Sequence, residues 1–178
     1  MCKHTDEFRR GIFTLATNFG ELAQLMIKKL EEYTPADGKY FDLLDSDGKK
    51  VEVKFSRAKK KLKPLSKTNV VELCLNSTAD SRALKEDEAC NIPFDCNIQQ
   101  VKPSEFDVLY YGVFFKDKIM IFKADSADVP YMPGYSIQHK GGTEYQFHIT
   151  KTTYSEHKQK HFYKELNYSE LLALFEKK

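Results

Sequence analysis

The sequence has no long apolar run. Its longest nearly apolar stretch, Val108 to Phe115, is eight residues and includes a glycine, whereas a membrane-spanning helix needs roughly 20. No transmembrane helix is expected. The opening residues, Met1-Cys2-Lys3-His4-Thr5-Asp6-Glu7, lack the positive start and apolar block of a secretory signal, so the expected location is cytoplasmic. Cysteine is sparse: Cys2, Cys74, Cys90 and Cys96 are irregularly spaced, which in a cytosolic chain points to reduced thiols rather than a disulfide framework. Internal repeats and low-complexity linkers are also missing.

What remains is a chain of 178 residues, 30% charged and 41% hydrophobic, the composition of one folded domain over 1–178. Two open readings attach to the cysteines and histidines. Cys90 and Cys96, with His157 and His161 one helical turn apart, are the right types for a composite zinc site; the plainer reading is a reduced cysteine pair and two surface histidines. The net charge of +2 hides an uneven distribution. Between Lys49 and Lys67 nine basic residues stand against Glu52 alone, while 80–95 is rich in acids, so a polyanion is expected to meet one face and avoid another.

From Phe8 to Leu30 the apolar residues Phe8, Ile12, Leu15, Phe19, Leu22, Met26 and Leu30 recur every three or four positions, which predicts one long opening helix, with a break near Gly20. Pro35 and Asp37-Gly38 end it. Two strands, 40–44 and 51–55, flank Ser46-Asp47-Gly48 as a β-hairpin. A second pair is expected at 106–115 and 119–123, a half-exposed strand at 145–150, and a last helix capped by Ser169. The order predicts an α+β fold with a mixed sheet.

The register of the first hairpin decides which side chains meet. With a three-residue loop and Gly48 in the left-handed region, Asp45 opposes Lys49, Leu43 opposes Val51 and Asp42 opposes Glu52. Asp42, Glu52 and Lys54 then share one face, and Phe41, Leu43, Val51, Val53 and Phe55 share the other. A two-residue Asp47-Gly48 turn would divide the polar three; the three-residue loop is preferred because it yields one clean apolar face. Two carboxylates supply the hard oxygen ligands that Mg²⁺ prefers, and an ammonium beside them can orient a water and stabilise a phosphoryl transition state. That combination suits phosphodiester hydrolysis. The plainer reading is a solvated strand face with a Glu52–Lys54 ion pair.

Asp42, nine residues, then Glu52-Val53-Lys54 resembles the D-x9-E-x-K site of the PD-(D/E)xK nuclease superfamily, and Phe55-Ser56-Arg57-Ala58 is similar to the strand end of Type II restriction endonucleases. Lys102-Pro103-Ser104-Glu105-Phe106-Asp107-Val108-Leu109 and the segment 138–148 extend the likeness over roughly residues 20 to 155. Phe41 stands where the family has proline. The resemblance implies a mixed β-sheet flanked by helices in an α/β/α-like core, with the catalytic hairpin at about 39–56. It implies cleavage of double-stranded DNA at a short sequence, with 5′-phosphate ends and no nucleotide cofactor. Asp42, Glu52 and Lys54 would be catalytic, with Mg²⁺ held by Asp42, Glu52 and the carbonyl of Val53. A glutamate on the opening helix sometimes assists in the family; Glu21 is the candidate, across the helix from the apolar stripe. Arg57, Lys59, Lys60, Lys61, Lys63 and Lys67 are expected to grip phosphates. Gln138, His139, Lys140, Gln146 and His148, in a segment at about 130–155, are expected to read base edges. Palindromic targets imply a homodimer. The alternatives are a structure-specific or repair nuclease of the same superfamily, a non-catalytic DNA-binding module, and a structural or interaction protein.

Overall fold

The computed structural model describes residues 3–15, 18–37, 40–139 and 142–176. Cys2, Gly38, Lys140 and Gly141 fall outside them. Two helices open the chain, α1 (Lys3–Thr14) and α2 (Phe19–Glu31), where periodicity alone predicts one. The break comes at Asn18, whose φ of 62° no helix interior accommodates; Gly20 lies inside α2. There follow β1 (Thr34–Pro35), β2 (Leu43–Leu44) and β3 (Lys50–Arg57), then α3 (Val70–Asn76) and β4 (Asp95–Ile98). The chain continues with β5 (Val108–Phe114), β6 (Lys118–Asp125), β7 (Ser136–His139) and β8 (Gly142–Thr150). It closes with α4 (Tyr154–His161), β9 (Phe162–Asn167) and α5 (Tyr168–Glu176). Asn167, rather than Ser169, caps α5. Its Oδ1 accepts the Glu170 N–H and its own N–H donates to Glu170 Oε2, at 2.9 and 2.7 Å, a reciprocal capping box.

The fold is α+β. Six strands form a mixed sheet in the order β1-β2-β3-β5-β6-β9, and three more form the sheet β4-β8-β7. β3 and β5 run parallel, Val51 opposite Val108 through Arg57 opposite Phe114. A parallel pair needs a long crossover, and residues 58–107 supply it, carrying α3 and β4. β5 is buried throughout because both of its faces are covered. Val108, Tyr110 and Phe114 pack with Val51, Val53 and the helices through Ile12, Met26 and Leu171. Leu109, Tyr111 and Val113 pack with β4, β8 and α4 through Cys96, Phe147 and Tyr154. The large sheet thus lies between a helical layer and the small sheet with α4. Among the described residues no helix is long and apolar enough to cross a membrane.

Alternation along β3 follows from this layering. Val51, Val53 and Phe55 meet the helices, leaving Glu52, Lys54 and Ser56 on the face toward the small sheet. Leu43 joins the helical side as expected, but Phe41 packs into the opposite cluster, where Lys50 Nζ lies 5.7 Å from its ring centre. Regular pairing of β2 ends at Leu43 and the chain bends at Asp42, so strand parity no longer governs Phe41.

Candidate active site

The hairpin loop has three residues. Leu43 faces Val51 and Leu44 faces Lys50; the Asp45 N–H donates to Lys49 O and the Gly48 N–H to Asp45 O, each at 3.1 Å. Gly48 has a φ of 79°, a conformation costly for any residue with a Cβ. The Asp45 carboxylate fixes the loop by accepting the N–H groups of Asp47 and Lys49 at 2.9 and 2.8 Å. This register carries Asp42 to the edge of β3. There its N–H donates to Val51 O at 3.0 Å, its Oδ2 accepts the Val53 N–H at 2.9 Å, and its Oδ1 accepts Gln24 Nε2 at 2.7 Å. In an extended strand the N–H and C=O of one residue face the same edge, so the Val53 carbonyl also faces Asp42.

Glu52 is only 6% exposed, and Lys54 Nζ lies 2.5 Å from its Oε1. Burial pushes the Glu52 carboxyl up to about 7; Lys54 opposes that shift, while Asp42 and Glu105 add to it. Burial likewise raises Asp42, against the attraction of Lys54 and the Val53 N–H. The carboxyls of Asp42 and Glu105 thus both act on Glu52 beside the Lys54 ammonium in a partly dehydrated place, and in the cleft as a whole carboxyl groups outnumber ammonium groups. Asp42, Glu52 and Lys54 line one cleft of about 630 Å³. Lys102 and Glu105, ion-paired at 3.1 Å, form another side, and Gln99, Gln100, Thr143 and Glu144 of the small sheet form the facing wall.

Other expected site residues scatter. Arg57 is not a free phosphate ligand: its Nη1 donates to the carbonyls of Ile12, Phe13 and Leu15 at 3.1, 3.2 and 2.6 Å, and its guanidinium lies 4.5 Å from the centre of the Phe19 ring. It caps the end of α1, because its position on β3 turns it toward the helices. Lys60 is paired with Glu88 at 2.9 Å. Lys59 lines a groove with Ser56, Asp95 and Asn97, and burial lowers its pKa. Lys61, Lys63 and Lys67 are exposed, as expected of phosphate ligands. Most of the acid-rich stretch is paired: Asp80 with Arg9 at 2.6 Å, Glu86 with Lys158 at 2.8 Å, Glu88 with Lys60, and Asp95 with His148 at 2.6 Å; Asp87 is exposed and makes no ion pair among the described residues.

The 136–150 segment is a hairpin, with His139 opposite Gly142. The side chains of Gln138 and His139, like Lys140, are outside the described part. Gln146 is 4% exposed and accepts Asn97 Nδ2 at 3.0 Å, so it is an internal support and cannot reach a base edge as placed. His148 is half-buried and held by Asp95. On α2 the side chain that touches the site is Gln24; Glu21 is exposed and borders a groove that also contains Asp42.

The zinc residues do not assemble. Cys96 is buried, with its thiol pushed up to about 12, and Cys90 is exposed. His157 is no surface histidine: it is buried, and its Nδ1 lies 3.0 Å from Tyr111 OH. Among the described residues no three His, Cys, Asp or Glu side chains converge as a metal-binding group. Sequence reading assigned no site role to Gln24, which holds Asp42 from α2, or to Gln99, Gln100, Lys102, Glu105, Thr143 and Glu144, which line the cleft; the Gln-Gln doublet is conspicuous, but its position in sequence gives no link to the hairpin. No protein-family model matches this chain, and no curated protein matches it.

Proposed function

We propose that this chain is a magnesium-dependent endonuclease that hydrolyses phosphodiester bonds of double-stranded DNA at a short sequence and leaves 5′-phosphates. One observation carries the reading: Asp42, Glu52 and Lys54, from three points of one hairpin, line the same cleft, and burial lifts both carboxyls above their usual range. Such a donor set fits a hard divalent cation. The negative charge is in excess, and Glu52 Oε2 accepts no hydrogen bond among the described residues. Asp42, Glu52 and the Val53 carbonyl would hold Mg²⁺, which when bound neutralises charge on the scissile phosphate.

The chain's own groups have distinct tasks. Gln24 and the Val53 N–H fix both oxygens of Asp42, so that carboxylate is oriented before substrate arrives. Lys54 orients the attacking water and stabilises the charge that develops on the phosphoryl oxygens. Attack at phosphorus breaks the bond to the 3′ oxygen, so the phosphate stays on the 5′ end. Each chain has one Asp42, Glu52 and Lys54, and cutting both strands of a palindrome calls for two chains about a twofold axis.

Plasmid DNA incubated with Mg²⁺ should give discrete fragments with 5′-phosphates. Glu52→Ala and Lys54→Ala should each lose at least about 100-fold in cutting, as expected for removal of transition-state contacts, while still binding duplex. Mg²⁺-dependent cutting retained by both variants would overturn this site. Nicking at no common sequence would point instead to an enzyme that selects DNA by structure.

A further inference from the structure

The wall facing the catalytic hairpin contains an unusual backbone. Gln100 has a φ of 59° and Tyr145 a φ of 49°, a region that L side chains rarely enter. The other two left-handed non-glycine residues among those described flank α2: Glu32 ends the helix, where such a conformation is ordinary, and Asn18 is a residue type that tolerates it. Gln100 and Tyr145 cap nothing. They lie beside each other: the Gln100 N–H donates to Glu144 O at 3.1 Å and the Val101 N–H to Tyr145 O at 2.8 Å, just past the last regular β4–β8 pair, Ile98 and Phe147.

The kink has a consequence for side chains. Successive residues of a regular strand project to opposite faces, yet Gln99 and Gln100 both line the cleft that holds Asp42, Glu52 and Lys54. Gln99 is positioned: its Nε2 donates to Glu144 Oε2 at 3.2 Å and lies 3.5 Å from Gln146 Oε1. Gln146, in turn, is buried and bound by Asn97. Gln100 is exposed, and its amide makes no hydrogen bond among the described residues. The free carboxamide of Gln100 presents an N–H and a carbonyl side by side, the pattern that matches adenine N6 and N7 in the major groove, while Gln99, whose Nε2 is committed to Glu144 and Gln146, offers its Oε1 as an acceptor.

We propose that Gln99 and Gln100 read the base pairs next to the cut, with Gln146 and Asn97 as positioning residues behind them. The proposal rests on the endonuclease reading and moves recognition from the segment holding Gln138, His139, Lys140, Gln146 and His148 to the cleft wall.

The test uses the full-length chain with Gln99→Ala and with Gln100→Gly, which retains the left-handed backbone. Gln100→Asn, also tolerant of that backbone, serves if the glycine variant is unstable. Each is incubated with a pool of duplexes of randomised sequence in Mg²⁺, and the cut ends are sequenced; binding preference is read from the same pool in Ca²⁺. The variants should still cut, but at sites whose preference for one or two base pairs flanking the cut falls about ten- to hundredfold. Wild-type chain that cuts at a defined sequence, with the same preference at every position in the variants, overturns this assignment and leaves the endonuclease standing. Wild-type chain that neither cuts nor prefers any duplex overturns both.

Discussion

Glu52 is the residue whose burial bears most directly on stability and, under the proposed function, on chemistry. Its carboxyl titrates near 4.5 in an unfolded chain and about 7 in the fold, so between these values the folded state holds a proton that the unfolded state has released. Stability then falls as pH rises through that window, is free of this penalty below about 4.5, and bears it fully above about 7. Asp42, also raised by burial, acts in the same sense. Glu52→Gln, which cannot ionise, should therefore gain stability relative to wild type as pH rises from 4.5 to 8 in urea unfolding measurements; an advantage independent of pH would refute the assignment. Under the proposed function, Mg²⁺ or Ca²⁺ should stabilise wild type at pH 8 and leave Glu52→Gln nearly unaffected. Lys54→Met removes the one nearby ammonium, and an NMR titration should then find Glu52 above 7.

Among the elements, β3 joins the two layers by alternation. Its odd-numbered residues face the helices and its even-numbered ones the small sheet, with Glu52 and Lys54 in the cleft, so the Arg57 guanidinium is spent on the end of α1. Arg57→Ala should cost about 2 kcal/mol through the loss of charged hydrogen bonds to three helix-end carbonyls, measured by denaturation, with the salt dependence of DNA binding unchanged. β5 next to it tolerates little. A Cβ added at Gly112 would lie 2.3 Å from both Met120 O and the Phe55 ring, and the backbone oxygen has no rotamer to escape into. Gly112→Ala should cost about 1–3 kcal/mol by overpacking, with a lower unfolding midpoint and no direct change at the cleft.

Seen as a whole molecule, the positive block divides into parts with different work. Arg57 and Lys60 are used inside the fold, while Lys61, Lys63 and Lys67 stand exposed on the crossover that makes β3 and β5 parallel. Under the proposed function, replacing these three lysines with alanine should weaken binding to every duplex alike and reduce the slope of log K against log salt by about 0.9 per lost phosphate contact. A slope that stays the same would mean that this crossover is away from the DNA.

The hairpin was legible because its information is local. Gly48, the period-two pattern and nine intervening residues suffice to place Asp42, Glu52 and Lys54 together, and continuous apolar runs mark β5 and β6 as strands. The α+β class follows from element order. Periodicity could not see where the opening helix breaks, since Asn18 interrupts it by backbone conformation and leaves the apolar spacing intact. Nor could any local pattern show that Arg57 reaches back 42 residues to Leu15, that Gln146 is covered, or that Gln99 and Gln100 face the hairpin. Alternation within a strand is imposed by covalent geometry over a few bonds. Which charge meets which partner, and which amide reaches the cleft, is decided only when two sheets and the helices packed on them compete for the same space.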